Sequence, residues 1–225
     1  MNTFIKSITF KKDYRTYKAG EVVDLDAPMV VLCGTNGSGK STVLDLLRET
    51  FGIEDDSYMK HLDKNAVDVA RADGKFDVRY YDFHSGDRKY AGAFGDDVMG
   101  QVASMHQSSG IGLLLQFNNT KIKEAKDSLI ILDEPCRGLA PRVQMQMEML
   151  LMTLVLKGNQ VIIATHSEWL MDQASFLGGK LYSAEHKKVF TGADEFMKAH
   201  LGEEMYKHRF PERGKKTVTT KKKKS

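Results

Sequence analysis

The chain has 225 residues, 41% of them hydrophobic, and a net charge of +3 from 33 basic and 30 acidic side chains. That length fits one domain, or one with a small inserted lobe. The composition excludes wholesale disorder, and no apolar run approaches the ~20 residues that cross a bilayer. The charge is unevenly placed: seven basic residues and no acid lie in 213–225, so residues 1–212 hold 26 basic against 30 acidic groups. An acidic body of net −4 carries a cationic tail. The start, Met1 to Lys6, lacks the long apolar stretch of a secretory leader. Two cysteines without metal-ligand spacing, Cys33 and Cys136, point to a reducing, cytoplasmic setting in which both are buried as small hydrophobes.

In chain order, Phe4 to Phe10 alternates apolar and polar residues and predicts a strand. A polar stretch from Lys11 to Gly20 carries Tyr14 and Tyr17, and Glu21 to Asp26 follows. Met29-Val30-Val31-Leu32-Cys33 is a buried-strand run that opens directly into a glycine-rich turn. Val43, Leu44, Leu47 and Phe51 then fall at helical spacing. Residues 52–75 are charged and irregular, with room for one short helix. Phe76 to Phe83 predicts a strand, and Ile111 to Ala125 a helix. The second half has clearer signals. They are a strand at Leu129 to Leu132, a methionine-rich helix at Arg142 to Leu156, and a strand at Gln160 to Ala164. A helix from Glu168, strands near Lys180 to Ser183 and Lys188 to Phe190, and a helix at Ala193 to Leu201 complete the series. This alternation predicts an α/β fold with a mainly parallel central sheet flanked by helices and a small antiparallel N-terminal β part. The expected organisation is one domain over 1–212, with 52–125 as an inserted lobe and 213–225 disordered. The methionines at 145, 147, 149 and 152 read as flexible core packing.

Gly34-Thr35-Asn36-Gly37-Ser38-Gly39-Lys40-Ser41 fits G-x-x-x-x-G-K-[ST] at every fixed position, between an apolar strand and an amphipathic helix. Glycines let successive backbone N–H groups turn inward and cradle phosphate at a helix N-terminus, which continues through Thr42. Lys40 brings a cation to the β- and γ-phosphates, and the Ser41 hydroxyl is a hard oxygen ligand for Mg²⁺. A nucleotide polyphosphate with Mg²⁺ is therefore the expected ligand, and the resemblance given below makes it ATP. Leu129 to Leu132 ends in Asp133-Glu134-Pro135. At the C-terminal edge of a parallel sheet, where ligands collect, Asp133 is the metal-holding carboxylate and Glu134 the group that polarises attacking water. Two weaker features complete the pattern. Ser108-Ser109-Gly110 opens a predicted helix, and Thr165-His166-Ser167 follows the next buried strand.

In this order the motifs resemble the ABC-type ATPases, a branch of the P-loop NTPases, and among them the compact stand-alone ATPases related to the SMC and DNA-repair branch. The resemblance runs from Met29 to Leu181. It implies two cassettes sandwiching two ATP molecules, with Ser108 and Gly110 of one copy serving the ATP of the other and His166 contacting the γ-phosphate. Homodimerisation on ATP, or coupling to another protein, is the implied partnership. The chain departs from the family at Ser109, Ile111 and Ala140. No glutamine ends the strand at Phe76 to Phe83, where Asp82 or His84 are the candidate replacements. Tyr14 and Tyr17 are the candidates to stack on adenine. Only 68 residues separate Lys40 from Ser108, too few for the long coiled-coil arms of SMC-type proteins. A low-turnover nucleotide-gated module and a small-molecule kinase are the alternatives. The lysine tail reads either as a solvated extension or as a salt-sensitive contact for nucleic acid.

Overall fold

A computed structural model of the chain describes residues 2–53, 62–82, 121–136, 139 and 141–211. Strand β1 (Ile5–Phe10) pairs antiparallel with β2 (Val22–Asp24) and β4 (Val67–Arg71) in a three-stranded sheet. The second sheet has six strands in the order β5-β6-β7-β3-β8-β9. These are β3 (Met29–Cys33), β5 (Asp77–Asp82), β6 (Ser128–Asp133), β7 (Gln160–Ala164), β8 (Lys180–Ser183) and β9 (Lys188–Phe190). All its pairings are parallel except β8 with β9, which is antiparallel. The predicted α/β architecture and the small antiparallel part are both present.

The three central strands are buried along their whole length. A strand covered on both faces needs apolar side chains on both, which is why these segments read as unbroken hydrophobic runs. Their side chains still divide by pleat. Met29, Val31, Cys33, Ile130, Leu132, Val161 and Ile163 enter one core, which also holds Met147, Leu151 and Leu154 of helix α2 (Pro141–Leu156). Residues of α3 (Glu168–Phe176) and α4 (Ala193–Leu201) also enter that core. Val30, Leu32, Leu129, Ile131 and Ile162 enter the other, under the small sheet and the Val43, Leu44 and Leu47 face of α1 (Lys40–Thr50).

The two sheets are joined by a buried side chain, Gln160. Its Oε1 accepts from the N–H of Phe4 (2.8 Å) and Ile5 (2.7 Å), and its Nε2 donates to the carbonyls of Ile5 (2.8 Å), Leu25 (2.8 Å) and Ala27 (3.1 Å). Beside it, buried Asn159 donates to Ala125 O (2.9 Å) and Leu154 O (2.8 Å) and accepts from Ser128 N (3.0 Å). Next to Leu25, Lys180 Nζ donates to both carboxylate oxygens of Asp24.

The structure differs from the sequence reading in four places. Strand β4 occupies part of the stretch read as irregular, because an edge strand with only Val67 buried carries too few apolar residues to announce itself. Helix α5 (Glu203–Arg209) follows Gly202 and buries only Tyr206, which is too little for a periodic signal. Of the four methionines assigned to the core, only Met147 is there; Met145, Met149 and Met152 are exposed among the described residues. Of the helix expected at Ile111 to Ala125, the described part is a 3₁₀ turn at Lys121–Glu124, and the remainder lies outside the described residues. The tail also lies outside them.

Candidate nucleotide site

The sheet order brings the predicted residues together. The phosphate loop leaves β3, the acid pair ends β6, and β7 runs between these strands, so His166, two residues beyond its end, lies between loop and acids. A cavity of about 420 Å³ is lined by Asn36, Gly37, Gly39, Lys40, Ser41, Thr42, Asp133, Glu134 and His166. A second, of about 450 Å³, shares Asn36, Glu134 and His166 and adds Cys136, Gln144, Thr165 and Ser167. Gly34 and Thr35 border a smaller one of about 200 Å³ with His166. Ser38 turns inward, its buried hydroxyl without a hydrogen-bond partner. Ser108, Gly110 and Ala140 lie outside the described residues, as does His84.

Lys40 is buried. Its Nζ donates to Gly34 O (3.1 Å) and Thr35 O (3.2 Å) and lies 3.0 Å from His166 Nε2. Burial pulls the Lys40 ammonium below the usual lysine range, while the Glu134 and Asp133 carboxylates pull the other way. His166 Nε2 is also 3.5 Å from Glu134 Oε1. Glu134 itself has φ +51, a left-handed backbone that costs a non-glycine residue roughly 1–2 kcal/mol, held by its N–H donating to Ala164 O (2.9 Å). Asp133 and Glu134 both line the first cavity, and Glu134 also borders the second. Register sets Asp82 opposite Asp133 at the ends of β5 and β6.

The loop is held from outside by residues that its motif does not contain. Gly39 has φ +111, and a Cβ there would overlap Thr16 Oγ1 and the Tyr17 ring. Thr16 Oγ1 donates to Ser38 O (3.0 Å), and Tyr17 OH donates to Gly39 O (3.2 Å). Lys187, in the β8–β9 turn, donates to Ser38 O (3.2 Å) while its Nζ sits 3.4 Å from the Tyr17 ring centroid. The other face of Tyr17 stacks on Phe10 at 4.2 Å and 2°. Both ring faces are therefore occupied, and Tyr17 supports the loop instead of stacking on adenine. Tyr14 is half-buried, and its hydroxyl accepts from Asp63 N (3.3 Å). Arg15 reaches the start of α1, donating to Thr42 Oγ1 at 3.2 Å. Sequence reading missed Arg15, Thr16 and Lys187. No local pattern marks them, since their loop partners lie 22 to 149 residues away.

The AAA domain family profile matches residues 12–137, a span that includes the phosphate loop and the acid pair. The chain belongs to the AAA domain family. No curated protein matches the sequence of this AAA domain. Its structure resembles CbiO1 from Clostridium perfringens, part of the ABC transporter complex CbiONQ, with 17% identity, a TM-score of 0.52, and coverage of 95% of this chain and 98% of that one. It also resembles MJ1267, an ATP-binding cassette of an ABC transporter, with 15% identity, a TM-score of 0.55, and coverage of 91% and 98%. A nucleotide-free ATP-binding cassette from an ABC transporter matches with 14% identity, a TM-score of 0.53, and coverage of 84% and 90%. The fold of this AAA domain is that of the ABC-type ATPases.

The residues present fit ATP and Mg²⁺. Among the described residues that line the cavity, Lys40 is a buried ammonium suited to polyphosphate, and Ser41 and Asp133 are oxygen ligands suited to Mg²⁺.

Proposed function

We propose that this AAA domain binds ATP with Mg²⁺ and hydrolyses it to ADP and phosphate. The observation that carries the reading is the placement of Lys40, Asp133, Glu134 and His166 around one cavity at the exits of β3, β6 and β7. Residues Gly34 to Thr42 hold the phosphates with backbone N–H groups, and Lys40 neutralises the β- and γ-phosphates. Ser41 and Asp133 would hold Mg²⁺, which offsets charge on the same phosphates. Glu134 takes the proton of the attacking water, and His166 donates a ring N–H to the γ-phosphate and helps position that water. A Glu134→Gln variant is expected to keep ATP affinity within about threefold while phosphate release falls at least ~100-fold. Lys40→Ala is expected to lose binding. Phosphate release unchanged in Glu134→Gln overturns the assignment.

The chain works as a cytoplasmic switch of 1–212 that pairs with a second copy on ATP, or couples to another protein, rather than as a transporter cassette. The motif order, the short span between Lys40 and Ser108, and the two free buried cysteines support this placement beside the compact relatives of the SMC branch. Among the described residues no helix is long and apolar enough to cross a membrane. Ser108 and Gly110 then serve the partner's ATP. The departures at Ser109, Ile111 and Ala140 favour a second reading, a nucleotide-gated module with little turnover. Tight ATP binding with phosphate release no higher than in Lys40→Ala would select it. Transfer of labelled phosphate to an acceptor would instead indicate a kinase.

A further inference from the structure

Outside the nucleotide cavity, one cluster of side chains has metal-binding composition and spacing. Glu185 and His186 lie in the β8–β9 turn, and His200 lies in the last turn of α4. One carboxylate oxygen and one nitrogen from each imidazole fall within 4.8 Å of one another. We propose that Glu185, His186 and His200 form a surface site for a divalent ion of the zinc class, with water in the fourth position. This assignment does not depend on the ATPase reading.

The spacing supports it. Zinc bonds of about 2.0–2.1 Å at tetrahedral angles place neighbouring ligand atoms about 3.4 Å apart. Glu185 Oε2 and His200 Nδ1 are already 3.3 Å apart. A ring nitrogen of His186 lies within 4.8 Å of both. A Glu185–His200 ion pair accounts for that contact alone and gives no role to the converging second imidazole.

Both rings are oriented by the same buried aromatic. His200 stacks on Phe196 with centroids 5.6 Å apart and planes at 20°. His186 meets Phe196 edge-on at 6.2 Å and Phe190 at 5.7 Å. Packing of this kind reduces the rotamer freedom that a metal would otherwise have to remove. The backbone is fixed as well, with His186 N donating to Ser183 Oγ (3.1 Å) and Ala184 N to Cys33 O (2.9 Å). Two imidazoles and one carboxylate suit Zn²⁺, Co²⁺ or Ni²⁺, whereas Mg²⁺ prefers oxygen ligands alone.

The site adjoins the phosphate loop from outside. A Cβ on Gly34 would lie 3.3 Å from Glu185 N, and the next-but-one residue, Lys187, holds Ser38 O. A bound ion would tie α4 to the turn that braces the loop.

The test is titration of untagged full-length protein with Zn²⁺ by calorimetry, and with Co²⁺ by its visible absorption. One ion per chain is expected. His186→Ala, His200→Ala and Glu185→Gln should each weaken binding at least ~10-fold, while His208→Ala leaves it unchanged. Metal-free melting of each variant checks folding, and zinc should raise the melting temperature of wild type but not of the cluster variants. Absence of a 1:1 complex, or cluster variants that bind as tightly as wild type, overturns the proposal.

Discussion

At Gly39 the conformation and the space both exclude a side chain: φ is +111, and Thr16 and Tyr17 fill the position of a Cβ. Gly39→Ala is therefore expected to displace the loop and abolish the rise in melting temperature that ATP produces, a loss read directly by thermal shift. Gly37, at φ +79, has open space around its missing Cβ, so a substitution there meets backbone strain alone. The cysteines give a second check at this scale. Burial pushes the thiols of Cys33 and Cys136 up to about 12, so at pH 8 neither is appreciably thiolate in the folded chain. Both should resist a thiol reagent under native conditions and react within minutes once the protein is unfolded in guanidinium. Rapid native labelling of either would contradict the burial.

Among the elements, the Gln160 amide carries five hydrogen bonds of the join between the sheets, beside the Lys180–Asp24 pair. Replacing Gln160 with Leu keeps the volume but leaves buried N–H groups of Phe4 and Ile5 and carbonyls of Leu25 and Ala27 without that partner. A loss of about 3 kcal/mol in urea unfolding is expected, since each buried unsatisfied group costs roughly 1–3 kcal/mol and relaxation recovers part. The same change on an exposed glutamine should cost under ~0.5 kcal/mol. Helix α2 shows the limit of composition as a guide. Met147 enters the core while Met145 and Met149 lie on the other side, because residues two apart on a helix point about 200° apart. Methionine content alone does not indicate which face is buried.

For the whole molecule the question is how the body and its tail divide the work. All described residues of the nucleotide cavity belong to the acidic body, so its affinity for polyphosphate is local, coming from Lys40 and inward-facing N–H groups. Deleting 213–225 should leave ATP hydrolysis within about twofold. Any binding to nucleic acid that weakens steeply with salt should disappear with it, as a lysine-rich segment acts through counterion release. ATP-bound Glu134→Gln should sediment as a dimer. A monomer at high concentration with ATP bound would dismiss the two-copy arrangement and leave the cavity assignment standing.

The phosphate loop, the acid pair and the buried strands were legible in the sequence because each is a local pattern whose chemistry depends on neighbours in the chain. The continuous apolar runs of β3, β6 and β7 follow from burial on both faces, and the loop's glycines from the turn they make. The tertiary structure decided what joins these parts across long separations. His166 acquires its place from the β6-β7-β3 order, Tyr17 becomes a support once Phe10 and Lys187 cover its two faces, and Gln160 bonds to residues 133 to 156 positions away. Periodicity reports which face of an element is buried but carries no information about which distant element covers it. For that reason the residues bracing the loop, and the converging pair of histidines beside it, emerged only when the chain was folded.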